Sequence, residues 1–268
     1  MKPKKTISSY LQKQHRDRIS TGYSTLFFAV VLSAFLLPGF ISAQVIRKTE
    51  VSFIAADGLE VTANLYQSKK SNPYIILLHQ EESCKGEFET VINRFVKMNF
   101  NCLAVDLRSG NDVGFEKNKT AAAARQAGIS QSLKMAEQDI EAAIAYVYKI
   151  STKNISLLGS AGSATLALLT GRMNENVNAV VALSPGNYLA PENSLDNILS
   201  NYPKPVFVAS TVKEYPYYTG IEGFPGNNKI LFKPSDGDGM RGTKALLKEN
   251  PSRDQYWLSL LLFFKALK

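Results

Sequence analysis

Residues 155–169 read ISLLGSAGSATLALL, and this stretch decides the predicted fold. Residues 155–158 are apolar apart from one serine, which is typical of a strand covered on both faces. Residues 159–163 are all glycine, serine or alanine, the small residues that a tight turn accommodates. From Ala164 to Leu169 the apolar residues indicate a helix. The stretch therefore predicts a buried strand, a sharp turn and a helix in succession.

The same alternation of strands and helices continues along the chain. Two alternating runs flank Asp57-Gly58 and predict a leading antiparallel hairpin. Residues 108–132 form a long polar stretch without a predicted element. Further strands are predicted at 74–78, 102–105, 179–183, 205–209 and 229–232, and helices at 87–98, 135–147 and 256–267. We therefore expect one α/β domain with a mostly parallel, doubly wound sheet, and functional side chains just after its strands.

Several short motifs occur in an order and spacing that carry a family resemblance. They are the Asp57-Gly58 hairpin, LLHQ at 77–80, FNCLAVDLRSG at 100–110, the turn at 159–163 and LSPG at 183–186. From about Val51 to Leu267 the chain resembles the α/β-hydrolase superfamily, and in particular its dienelactone-hydrolase-like esterase branch. The resemblance implies the α/β-hydrolase fold. Active members place a nucleophile in a G-x-S-x-G turn, and an acid and a histidine follow later in the chain.

The turn after the 155–158 strand fits this motif in two frames. In the first, Gly159 is the leading glycine and Ala161 occupies the nucleophile position, where it offers no atom that can attack a carbonyl. In the second, Ser160 is the nucleophile and Leu158 replaces the leading glycine. Steric crowding by a leucine in a tight turn favours the first frame, and Ser160 remains the fallback nucleophile.

The histidine that should activate a serine is missing from its expected place. The chain contains only His15 and His79. The resemblance places the base in the loop after the last strand, and there Asp238 occupies the histidine position. It places the acid after the strand at 205–209, where Glu214 occupies the acid position. A carboxylate of ordinary pKa is a much weaker base than imidazole. His79 is an alternative base, or else a residue that orients its own loop.

Other parts of an oxyanion pocket remain. The resemblance assigns the two oxyanion donors to the backbone N–H groups of Gly162 and Gln80, next to His79. A helix also starts after Gly162, and a helix N-terminus favours anions. A carbonyl or carboxylate ligand could therefore be bound without being cleaved. We expect no cofactor and no metal, because Asp236 and Asp238 among glycines indicate a solvated turn.

The N-terminus predicts export. Residues 1–24 are basic, residues 25–43 are apolar and end in small residues, and residues 44–268 form the folded domain. The pattern is typical of a signal peptide cleaved after Ala43, but the uncharged stretch is also long enough for a membrane anchor. Either reading places the domain outside the cytoplasm, in the periplasm, secreted or held at the membrane.

Charge and cysteine content exclude some functions. Of the formal net charge of +8, residues 1–24 contribute +5, from six basic residues and one acidic residue, which leaves +3 for the rest. A nucleic-acid surface would need clustered charge on the folded part, so we expect no nucleic-acid partner. Two cysteines, Cys84 and Cys102, leave a single disulfide open.

Three functional hypotheses follow from these residues. The leading one is a degenerate, non-catalytic hydrolase outside the cytoplasm that binds a small ligand or a partner. The alternative is a weak or non-standard serine esterase that acts on a carboxylic ester. The third is a purely structural surface protein.

Overall fold

The computed structural model describes residues 46–267. The ranges 1–24 and 25–43 lie outside the described residues, so the signal peptide or membrane anchor stays a prediction. Within residues 46–267, no helix combines the length and the apolar character needed to cross a bilayer.

Eight strands of the described chain form one sheet, in the order β1-β2-β4-β3-β5-β6-β7-β8. Strand β2 is antiparallel to both of its neighbours, and all other neighbours are parallel. This arrangement confirms the predicted mostly parallel sheet with a leading hairpin. The strands are β1 (Arg47–Ile54), β2 (Glu60–Gln67), β3 (Tyr74–Leu78), β4 (Asn101–Val105), β5 (Ile155–Ser160), β6 (Val177–Leu183), β7 (Val206–Ala209) and β8 (Lys229–Phe232).

Helices cover both faces of the sheet. Within residues 46–267 they are α1 (Ile92–Lys97), α2 (Lys119–Ala127), α3 (Glu137–Ile150), α4 (Gly162–Met173), α5 (Leu195–Leu199), α6 (Tyr215–Thr219) and α7 (Arg253–Ala266). Alternate side chains of a strand point to opposite faces. Ile75 and Leu77 of β3 therefore pack in a core with α1 and α7, whereas Ile76 and Leu78 pack in a second core with α3 and α4. This double coverage explains why the central strands are continuous apolar runs.

The segments 108–132 and 87–98 differ clearly from the prediction. The polar stretch 108–132 contains helix α2, which Asn118 caps by accepting a hydrogen bond from the Ala121 N–H at 2.8 Å, and which ends at Gly128 with a φ of +66°. The helix predicted at 87–98 is shorter: a 3₁₀ turn at Lys85–Phe88 precedes α1. For α2 the cap residues, rather than the apolar spacing, set the boundaries.

Charged residues after β4 are buried in ion pairs that hold the loops together. Arg108 is fully buried, and its guanidinium bonds Asp139 of α3 and Asp57 of the β1–β2 turn. The hydrogen bonds from Arg108 lower the pKa of the Asp57 carboxyl. Lys85 Nζ lies 2.6 Å from the Asp106 carboxylate, and both side chains are almost completely buried. These residues of the 100–110 motif therefore fix three segments of chain to one another.

Candidate functional site

A sharp turn connects β5 to α4 at the carboxyl edge of the sheet. Strand β5 extends to Ser160, two residues further than the sequence predicts, and Ala161 alone lies between strand and helix. Ala161 has φ +53° and ψ −119°, a backbone conformation that non-glycine residues rarely adopt and that costs free energy. Its N–H donates to the Leu183 carbonyl at 2.9 Å, which fixes the turn against β6. The residue at the bend therefore carries only a methyl group.

Gly159 allows α4 to start directly behind β5. A Cβ atom at Gly159 would lie 2.3 Å from the Ser163 carbonyl oxygen and 2.6 Å from the Ala164 Cα. Both neighbours are backbone atoms of the first turn of α4, so no side-chain rotation could relieve the clash. The close approach of strand and helix therefore requires glycine here.

Ser160, the fallback nucleophile, is fully buried. Its hydroxyl oxygen accepts a hydrogen bond from the Thr243 N–H at 3.0 Å. A Cβ atom at Gly242 would lie 2.5 Å from the same oxygen. The hydroxyl is thus enclosed by the 3₁₀ turn at Gly242–Leu246 and is not presented to solvent.

His79 is fully buried, and both of its ring nitrogens are bonded to backbone. The Leu107 N–H donates to Nε2 at 2.8 Å, and Nδ1 lies 2.8 Å from the Gln80 carbonyl oxygen. An accepting Nε2 assigns the proton to Nδ1, which then donates to that carbonyl. The imidazole therefore ties the loop after β3 to the loop after β4 and has no nitrogen left to take a proton from a hydroxyl.

Glu214 lies after β7 and is held from several directions. Its Oε2 accepts hydrogen bonds from the Ser184 hydroxyl at 2.8 Å and from the Thr211 N–H at 3.0 Å. Its Oε1 lies 2.5 Å from Arg241 Nε. Arg241 in turn donates from Nη2 to the Tyr188 hydroxyl at 2.7 Å.

The residue of the loop after β8 that reaches Glu214 is therefore Arg241, whereas the side chain of Asp238 is exposed. Asp238 contributes its carbonyl oxygen, which accepts from the Val212 N–H at 3.0 Å. The sequence does not single out Arg241 as the partner of Glu214. Through this contact Arg241-Gly242, rather than Asp238-Gly239, lies beside the acid position, where the resemblance places a His-Gly pair. A guanidinium stays protonated in proteins and cannot act as a base.

The two backbone donors assigned to an oxyanion are both bonded to carboxylates of the same chain. The Gly162 N–H donates to Glu81 Oε2 at 3.2 Å, and the Gln80 N–H donates to Glu87 Oε2 at 3.1 Å. The sequence offered a weak signal for this arrangement, since Glu81 directly follows Gln80. The contacts of Glu81 and Glu87 depend on the directions in which these side chains point, and a loop sequence does not specify those directions.

A cavity of about 270 Å³ opens beside Glu214 and Arg241. Tyr218 forms a buried wall, and its hydroxyl donates to the Pro185 carbonyl at 2.8 Å. Burial raises the pKa of this tyrosine. The cavity is lined by Pro185, Gly186, Asn187, Leu195, Asp196, Glu214, Tyr217, Tyr218, Ile221 and Arg241. It thus combines an apolar floor with one cation and two carboxylates.

Cys84 and Cys102 are free thiols in the structure, and both are buried. Burial raises the pKa of each thiol, which makes the reactive thiolate less accessible. Among residues 46–267, no group of three or more histidine, cysteine, aspartate or glutamate side chains is placed to hold a metal ion.

No protein-family model matches the chain, and a search of curated proteins gives no match either. Solved structures do match. An esterase of Pyrococcus furiosus has a TM-score of 0.61 at 15% identity, over 82% of this chain and 91% of that one. A dienelactone hydrolase of Anabaena variabilis has a TM-score of 0.59 at 13% identity, over 84% and 99%. An esterase of the archaeon Pyrobaculum calidifontis has a TM-score of 0.57 at 14% identity, over 83% and 84%.

At identities this low, the structural matches establish a shared fold only. What the protein does must be argued from the residues of its own site. The match spans 84% of this chain and 99% of the dienelactone hydrolase, so it covers the domain as a whole. The fold that the sequence resemblance implied is confirmed: residues 46–267 have the α/β-hydrolase fold, which they share with the matched esterases and dienelactone hydrolase.

Proposed function

We propose that this chain is a non-catalytic protein of the α/β-hydrolase fold that binds a small molecule outside the cytoplasm. The observation that carries the proposal is the alanine at the sharp bend after β5, where φ is +53°. A methyl group cannot form the covalent intermediate on which serine hydrolysis depends. The basic and apolar N-terminal residues support the location.

Proton transfer supports the same proposal. A serine hydroxyl becomes a useful nucleophile only when a base within hydrogen-bond reach takes its proton. His79, the only histidine between residues 46 and 267, uses both nitrogens on backbone groups. Arg241 occupies the place beside Glu214, and it carries a permanent positive charge. Neither group can serve as the general base.

A weak esterase that uses Ser160 is the second candidate, motivated by Ser160-Ala161-Gly162. Against it stands the complete burial of Ser160 and the hydrogen bond that its hydroxyl accepts from Thr243. A substrate could reach that hydroxyl only after the 242–246 turn moved away.

The cavity beside Arg241 is the best candidate for the ligand site. The Arg241 side chain is 62% exposed at the rim of the cavity, whereas Tyr218 and Leu195 form an apolar interior. Arginine recognises carboxylates through its planar fork of donors, and the apolar floor suits a ring or a short hydrocarbon. The ligand class that fits is a small carboxylate or carbonyl compound with an apolar body.

Benzoate is a suitable probe for this site in the full chain. We expect millimolar benzoate to shift the amide resonances of the cavity residues, and Arg241→Gln to weaken its binding roughly tenfold, because a hydrogen bond to a charged group is lost. Arg253→Gln, which alters an arginine outside the cavity, should leave the affinity unchanged. In the same samples the hydrolysis of 4-nitrophenyl butyrate should be unaffected by Ser160→Ala. Equal binding by both arginine variants, or turnover that needs Ser160, would refute the proposal.

A further inference from the structure

The loop after β3 places the carboxylate of Glu81 directly on the start of α4. Glu81 Oε2 accepts the Gly162 N–H at 3.2 Å. A Cβ atom at Gly162 would lie 1.6 Å from Glu81 Oε1 and 2.5 Å from Glu81 Cδ. The carboxyl group therefore lies close to the glycine Cα and occupies the acceptor position of that N–H, which a substrate atom would need.

The second backbone donor is held in the same way. Glu87 Oε2 accepts the Gln80 N–H at 3.1 Å. The other oxygen, Oε1, is buried and has no hydrogen-bond partner among the described residues. Leaving a carboxylate oxygen buried without a partner costs free energy. The bond from the Gln80 N–H satisfies Oε2 and ties Glu87 to the loop that also presents Glu81.

We propose that this loop is an autoinhibitory contact: Glu81 occupies the Gly162 donor as an intramolecular ligand and excludes external carbonyl and carboxylate groups. The 12-residue helix α4 begins at Gly162, and its N-terminus stabilises a negative charge. A carboxylate tethered to the loop competes at a high effective concentration, of the order of millimolar or more. A free carboxylate of the same chemistry must displace it.

This contact is independent of the proposed ligand cavity, which is lined by other residues. It adds a separate barrier to hydrolysis. Even with a hydroxyl in place of the Ala161 methyl, a developing oxyanion would find the Gly162 N–H already bonded to Glu81. Removal of Glu81 should therefore free a donor, whereas a change at Arg241 should not.

The test uses the full chain labelled with ¹⁵N-glycine. The Gly162 resonance is assigned by its loss in Gly162→Ala. In Glu81→Ala we expect the Gly162 amide proton to move upfield, because a charged acceptor is lost, and to return in a saturable titration with sodium acetate. In the wild-type chain acetate should bind at Gly162 at least tenfold more weakly than in Glu81→Ala. The reason is that acetate must first displace Glu81 from its hydrogen bond, which involves a charged group. Glu82→Gln removes the neighbouring exposed charge and should behave as wild type.

Sodium chloride at matched ionic strength separates binding from screening. The proposal is supported only by an acetate response at Gly162 that appears when Glu81 is removed. It is overturned if wild type and Glu81→Ala respond alike, if neither responds, or if Glu82→Gln has the same effect as Glu81→Ala. Because the readout is a backbone amide, its outcome does not depend on whether the chain hydrolyses esters or binds benzoate.

Discussion

Replacement of Arg108 by methionine is expected to lower the free energy of unfolding by about 3–5 kcal/mol, the range for breaking a buried ion pair. Arg108 and Asp139 are both completely buried, and Arg108 Nη2 lies 2.7 Å from Asp139 Oδ1. Methionine would fill most of the space of the arginine stem, but it would leave the Asp139 carboxylate without its counterion. The uncompensated charge, rather than lost packing, accounts for most of the expected effect.

Lys119→Met provides the matched control. Lys119 pairs with Glu50, and both side chains are about half exposed, at 55% and 47%. Exposed ion pairs contribute about 1 kcal/mol or less. In urea unfolding, the loss in the free energy of unfolding should therefore be several-fold larger for Arg108→Met than for Lys119→Met. Similar losses would show that the ion pairs after β4 do not hold the loops in the way the burial indicates.

Gly159→Ala is expected to cost about 3 kcal/mol or more, at the upper end of the range for overpacking a core. The added methyl group would lie 2.3 Å from the Ser163 carbonyl oxygen and 2.6 Å from the Ala164 Cα. Both atoms belong to the backbone of α4, so relief requires the helix to move away from β5. The turn that positions Ala161 would then be distorted as well.

Gly162→Ala, three residues later, is the control for this prediction. The three atoms nearest to its added methyl group all belong to the carboxyl group of Glu81, a flexible and partly exposed side chain that can rotate away. We expect a cost of about 1 kcal/mol, since rotation of one side chain relieves the clash and at most the contact of Glu81 with the Gly162 N–H is lost. Denaturation curves that give equal costs for Gly159→Ala and Gly162→Ala would contradict the strand–helix packing described above.

The fold was predictable because its central strands are buried on both faces and therefore mainly apolar. The runs at β3, β4, β5 and β6 stand out against polar loops, and Asp57-Gly58 marks the hairpin. Helix α2 was missed because it lies in a polar stretch and buries mainly small alanines, so its apolar period is weak. Its ends are set by Asn118 and Gly128, which act through local hydrogen bonds and a positive φ.

The candidate site was predictable only where local sterics decide it. The small residues at 159–163 led to Ala161 as the residue at the bend, because a leucine would crowd the leading position. The partner of Glu214 was not predictable in this way, because the path of the loop after β8 decides whether Asp238 or Arg241 returns to it. The contacts of Glu81 and Glu87 depend on the direction of loop side chains, which periodicity does not encode.

The central claim is that no hydroxyl near the bend after β5 can act as an activated nucleophile. Treatment of the full chain with an excess of a fluorophosphonate, followed by intact mass measurement, tests it most directly. We expect the protein to remain unmodified, because Ala161 has no hydroxyl and Ser160 is buried with its oxygen bonded to Thr243. A single stoichiometric phosphonate adduct that disappears in Ser160→Ala would contradict it.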